Sequence, residues 1–121
     1  MIKINIEEIV SYRQKKKSHS DYSLGGWYMI VDDSNGKKYI GKSIEYMFRL
    51  RQHLFIKNPK TLVDGIIKDK GMYNFSFYLI KEYNSLKINF FNRKLESKIE
   101  NKLIINHKSF LPYGYNVRYY E

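Results

Sequence analysis

Cysteine and alanine are both missing from this 121-residue sequence. Without cysteine there is no disulfide, no thiolate metal ligand and no thiol nucleophile. Proline occurs twice and tryptophan once. The three histidines, His19, His53 and His107, are too scattered for a His-only zinc site. The longest apolar run, Trp27 to Val31, is far too short to span a bilayer. Glu7 and Glu8 interrupt what would be the apolar core of a signal peptide. Acidic residues are few, 12 against 22 Lys and Arg, which gives a formal charge of +10. A surplus of that size favours polyanions such as nucleic-acid phosphates. Apolar residues make up 43% of the chain and aromatics 17%, enough for a core and against a disordered tail. The length suits one domain. These exclusions leave a small, basic, soluble chain expected in the cytoplasm, with no membrane partner.

Hydrophobic periodicity predicts a mixed α/β order. Residues 1–24 read as an N-terminal extension, with a helix over Asn5–Lys17 and a basic run at Lys15, Lys16 and Lys17. Gly25-Gly26 opens a strand, Trp27 to Asp33, and a second strand covers Lys37 to Gly41. Between them Asn35-Gly36 signals a two-residue hairpin turn, where φ must be positive. Ile44 to Phe55 reads as a helix with an apolar stripe of Ile44, Met47, Leu50 and Leu54. Pro59 to Lys70 reads as another, started by proline and ended at Gly71. A third strand is expected over Asn74–Lys81 and a long helix over Phe90–Asn106, with Leu95, Ile99 and Leu103 on one face.

Two motifs share one loop. Gly36-Lys37-Lys38-Tyr39-Ile40-Gly41-Lys42-Ser43 satisfies the nucleotide-binding P-loop pattern, in which backbone amides wrap phosphate and Ser holds Mg²⁺. Tyr39 and Ile40 are strand formers, however, and Lys37–Ile40 pairs naturally with Trp27–Val31 as a hairpin. A P-loop also needs a mostly parallel sheet and a metal-holding aspartate after a second apolar strand. The best candidate for that aspartate, Asp64, falls within a predicted helix.

The other motif is the pair of triplets Gly26-Trp27-Tyr28 and Tyr39-Ile40-Gly41. Arg49 stands eight residues after Gly41, His53 four after Arg49, Glu100 on the long helix, and Gly114-Tyr115-Asn116 near the end. In this set and spacing the sequence resembles the GIY-YIG nuclease family, over residues 25 to 117. The spacing is most similar to the catalytic domain of phage intron homing endonucleases. The resemblance implies an α+β fold with a small three-stranded antiparallel sheet flanked by helices, residues 25–121 forming the nuclease domain. It implies hydrolysis of DNA phosphodiester bonds with Mg²⁺ or Mn²⁺. Trp27 departs from the family, which usually has a medium apolar residue there; on a strand it faces away from Tyr28, so the change falls on core packing.

The residue types suit the chemistry. Phosphodiester hydrolysis needs an activated water, a cation, a held phosphate and help for the leaving oxygen. By the resemblance, either Tyr28 or Tyr39 takes the proton of the attacking water, and the sequence leaves the choice open. Arg49 suits a bidentate grip on phosphate. His53 lies on the same helical face and would assist phosphate binding or proton transfer. Glu100 is the implied metal ligand, with Glu96 one turn away as its rival. Lys42 and Asn116 would support the site. Lys15, Lys16, Lys17, Lys42 and Arg51 are candidate nucleic-acid contacts. Singly, each residue has an ordinary structural use, and a non-cutting nucleic-acid-binding module of the same fold is the alternative. Only five residues follow Asn116, so no DNA-reading domain is expected within this sequence. Target choice would fall to the N-terminal arm, to a homodimer or to a separate targeting protein, and the isolated chain is expected to nick or cut with weak specificity.

Overall fold

Side-chain alternation along one strand sets the layers. In the computed structural model, which describes residues 1–14, 24–82 and 93–117, the central strand is Gly26–Asp32 (β2). Tyr28 and Ile30 point to one face and Trp27 and Met29 to the other, as the period of two requires. β2 pairs antiparallel with Lys38–Ser43 (β3) on one side and with Phe75–Glu82 (β4) on the other. The P-loop reading fails here: Lys38 to Ser43 is a paired strand, not a phosphate loop.

The predicted three-stranded sheet gains a fourth member. Ile2–Ile4 (β1), inside the segment expected to be helix and linker, pairs antiparallel with β4. The strand order is β1-β4-β2-β3. The helix after β1 is shorter than expected, Ile6–Ser11 (α1), capped by the Asn5 side chain. Lys15, Lys16 and Lys17 lie outside the described residues.

Helices cover both faces. On the Tyr28 face lie α1, Tyr46–Phe55 (α2) and Leu62–Lys70 (α3), burying Ile9, Leu50, Leu54, Val63 and Ile67. On the opposite face Arg93–Asn106 (α4) packs Leu103 and Ile104 against Trp27, Met29 and Ile40. Trp27 thus sits fully buried under α4, away from Tyr28, as its strand position predicts. The apolar stripes are shifted from the expected ones: Ile44 precedes α2 and is 50% exposed, and Leu95 is 39% exposed. α3 begins three residues after Pro59 because the Thr61 hydroxyl, not the proline, caps it by accepting from Asp64 N–H. No helix among the described residues is long and apolar enough to cross a membrane.

The β2–β3 turn differs from the expected two-residue form. Asp32 N–H donates to Lys37 carbonyl, so residues 33–36 form a four-residue loop with positive φ only at Gly36 (77°). The cause is Asp32. Its buried carboxylate accepts from the Ser34 N–H (3.0 Å) and hydroxyl (2.7 Å), from Lys70 Nζ (2.5 Å) and from the Tyr115 hydroxyl (2.6 Å). Burial alone would raise its pKa, but the hydrogen bonds from Lys70, Tyr115 and Ser34 win and hold it far below the usual carboxylate value. A folded-state pKa below the unfolded one adds stability that is full above the unfolded value and lost as pH falls towards the folded one. Asp32→Asn is therefore expected to cost about 2 kcal/mol at pH 7. Urea melts should show the gap to wild type closing as pH drops below about 4.

Candidate active site

The hairpin register brings the two tyrosines to one surface. Tyr28 lies opposite Gly41, and Tyr39 lies opposite Ile30, so both rings share a face, diagonally placed. Their centroids are 6.5 Å apart. A Cβ at Gly41 would overlap Cζ and the hydroxyl of Tyr28, so glycine lets that ring lie across β3. Gly41→Ala should push the Tyr28 hydroxyl aside and lower whatever reaction the site performs by about 10²-fold, with the melting curve confirming that the fold survives.

Beneath the tyrosines lies His53, one of the buried face of α2. Its Nε2 is 2.8 Å from the Tyr28 hydroxyl, and its Nδ1 makes a short hydrogen bond with Asp64 Oδ1 from α3. Burial lowers the His53 pKa, Asp64 opposes this and Arg49 adds to it, with the net shift downward. Burial pushes Asp64 up, and its contacts with His53, the Thr61 hydrogen bond and the Arg49 charge together bring it below the ordinary value. At neutral pH the pair is therefore a neutral imidazole beside a carboxylate. Burial, with Tyr39 nearby, raises Tyr28 well above the ordinary tyrosine value despite Arg49. Tyr28 is thus a protonated hydroxyl in hydrogen-bond contact with Nε2, while Nδ1 is in contact with Asp64. Tyr39 is also raised by burial, against the pull of Arg49.

A cavity of about 530 Å³ opens in front of these rings. Tyr28, Tyr39, Lys42, Arg49, Glu100 and Asn116 line it, from β2, β3, α2, α4 and the C-terminal segment. His53 is 1% exposed and does not line it. That burial removes direct phosphate binding from its expected roles and leaves contact through Tyr28. Glu100 is half-buried, and burial raises its pKa, with Lys42 opposing and Glu96 adding. Glu96 is buried and pairs with Lys42, 3.5 Å from its Nζ, and Glu100, not Glu96, lines the cavity.

The donor set fits a hard divalent cation in a limited way. Among the described residues no three of His, Asp and Glu cluster, and Glu100 is the acid that lines the cavity, so it would be the carboxylate that holds the ion. That suits Mg²⁺, which keeps several waters and takes phosphate oxygens.

Asn116 works on the edge strand. Its carboxamide oxygen accepts from Ile40 N–H (2.8 Å) and its nitrogen donates to Ile40 carbonyl (2.9 Å). The side chain thereby supplies the two bonds that a neighbouring strand would make. This holds Tyr39 and Gly41, which flank Ile40, in register.

No family model matches the sequence, and no curated protein matches it. Among solved structures it is similar to the catalytic domain of intron endonuclease I-TevI, in a variant with one glutamate replaced by alanine. The TM-score is 0.64 at 21% identity, covering 80% of this chain and 96% of that one. The chain has the GIY-YIG fold.

Within this GIY-YIG fold the structure gathers Tyr28, Tyr39, Lys42, Arg49, Glu100 and Asn116 around one cavity, with His53 behind Tyr28. Arg51 is not brought there. Its Nε donates to Val10 carbonyl, and its guanidinium stacks on Phe55 at 4.8 Å. Two residues at the site escaped the sequence reading. Lys60 lines the cavity as an exposed cation. Asp64 was considered only for a P-loop. Its signal was a carboxylate between Val63 and Ile67 on a helix face otherwise buried and apolar.

Proposed function

We propose that the chain is a divalent-metal-dependent endonuclease that hydrolyses DNA phosphodiester bonds. The observation that carries this reading is the single cavity shared by Tyr28, Arg49 and Glu100, from three separate elements. Arg49 and Lys42 hold the non-bridging oxygens of the scissile phosphate. Tyr28 takes a proton from the attacking water while its own passes to His53 Nε2, 2.8 Å away. The water oxygen forms a new P–O bond, the P–O bond to the departing sugar oxygen breaks, and that oxygen takes a proton from solvent. Glu100 would hold the metal, which when bound supplies positive charge for the phosphorane-like transition state. Tyr39, raised but facing the cavity, orients water or phosphate. Support comes from the +10 charge, which draws in a polyanion, and from the fold.

The assay is supercoiled plasmid with Mg²⁺ or Mn²⁺ at low salt. Nicked circles should accumulate, EDTA should stop them, and linear product should lag behind. A chain that retains DNA in a salt-sensitive way, yet cuts it under no divalent metal, is the non-cutting binding module instead.

A further inference from the structure

The contact between His53 and Asp64 bridges two helices and leaves solvent out. Both side chains are 1% exposed. A buried carboxylate on an apolar helix face needs a partner, and this one has an imidazole. Tyr28 completes a line of three groups, from β2 through α2 to α3. The groups facing the His53 ring are Tyr28 from β2, with centroids 5.6 Å apart, Tyr39 from β3, also 5.6 Å, Asp64 from α3 and Arg49 from its own helix.

An imidazole in water is free to carry its single proton on either nitrogen. If Nε2 carried it, the Tyr28 hydroxyl would turn and accept from it, but the bare Nδ1 would then face the Asp64 carboxylate oxygen, acceptor against acceptor. A carboxylate accepts only, so the nitrogen beside it must be the protonated one. We propose that Asp64 is a positioning residue that fixes His53 as the Nδ1–H tautomer, leaving Nε2 to receive the Tyr28 proton during hydrolysis. This rests on the nuclease reading above. In the step, Tyr28 oxygen gains the water proton, Nε2 gains the tyrosine proton, and the imidazolium keeps Nδ1–H against an Asp64 that stays ionised. The proton then returns through Tyr28 to solvent. The logic is that of a hydroxyl, imidazole and carboxylate in series, with a tyrosine at the outer end. Asp64 touches neither water nor phosphate.

Two readouts on the intact chain test it. The first is the ¹⁵N spectrum of the His53 ring, which reports the tautomer without DNA or metal. Wild type should show a protonated Nδ1 and a bare Nε2, and the isosteric Asp64→Asn should shift the proton wholly or partly to Nε2. The second is the pH profile of plasmid cleavage. Asp64→Asn should lose about 10²- to 10⁴-fold in kcat at pH 7 with KM nearly unchanged. The gap should narrow with rising pH, as hydroxide removes the Tyr28 proton without help. A wild-type His53 protonated on Nε2 overturns the assignment even if the enzyme cuts DNA. So does an Asp64→Asn chain that keeps the wild-type tautomer and loses the same factor at every pH, which marks a structural role. Should that variant fail to fold, the wild-type tautomer alone decides. A wild type that holds Nδ1–H but cuts no DNA defeats the nuclease reading, and with it the step that Asp64 serves.

Discussion

Glu100→Ala is expected to lower plasmid cleavage in Mg²⁺ by roughly 10³-fold, equivalent to about 4 kcal/mol of transition-state stabilisation. The reasoning is one of supply. Glu100 lines the cavity, while Glu96 is drawn to Lys42, and among the described residues no other acid shares the lining. A divalent ion would have no second carboxylate among the described lining residues to hold it there. Binding of DNA should survive, because removing an acid from a basic cleft does not weaken its attraction for phosphate. A gel shift in EDTA checks that half. Glu96→Ala is the contrast: it frees Lys42 and should cost far less cleavage. Equal losses in the two variants, or a loss only in Glu96→Ala, would move the metal anchor from Glu100.

Tyr28→Phe should cost 10²- to 10⁴-fold in cleavage, the range ascribed to positioned proton transfer. Tyr39→Phe should cost less. The difference follows from what stands behind each ring: Tyr28 has a bare imidazole nitrogen at 2.8 Å, and that nitrogen is the acceptor a high-pKa tyrosine needs. Tyr28→Phe also leaves Nε2 buried without its donor, at a stability cost of about 1 kcal/mol in urea melts. The pH dependence carries a further sign. His53 accepts only when neutral, and its pKa is lowered by burial. Wild-type cleavage should therefore hold as pH falls through 6.5 and fail only at lower pH. An acid limb centred above the ordinary histidine value of about 6.5 would contradict a buried, neutral acceptor.

Much of this site was legible before the fold was known. Tyr28, Tyr39 and Gly41 sit on a hairpin whose existence follows from alternation, although its register is set by the four-residue loop and not by the two-residue turn expected at Asn35-Gly36. Glu100, Arg49 and Asn116 were singled out by the resemblance to the GIY-YIG family, and the fold brings them to one cavity, since nothing local marks one glutamate on a lysine-rich helix. Other features depended on distant partners. β1 is three residues long, and its pairing with β4 cannot be read from Ile2-Lys3-Ile4 alone. The loop at 33–36 is set by the Asp32 carboxylate, whose ligands Lys70 and Tyr115 are 38 and 83 residues away. Asp64 meets His53 only because α2 and α3 pack together, and spacing along one helix gives no hint of a contact between two. The burial of His53 was likewise hidden, because Arg49 four residues earlier opens to the cavity while His53 turns under the sheet.

The Asn116 clamp has a consequence in time. The β2–β3 hairpin closes over a short loop, and such contacts form early in folding. The bonds from Asn116 to Ile40 join residues 76 apart, and closing that span costs more entropy and comes later. During synthesis the tyrosines therefore emerge together on a hairpin whose outer strand is still unclamped. Its final setting waits until residue 116 has left the ribosome. The assembled cleft therefore depends on Asn116, and no nascent fragment that ends before it carries that cleft.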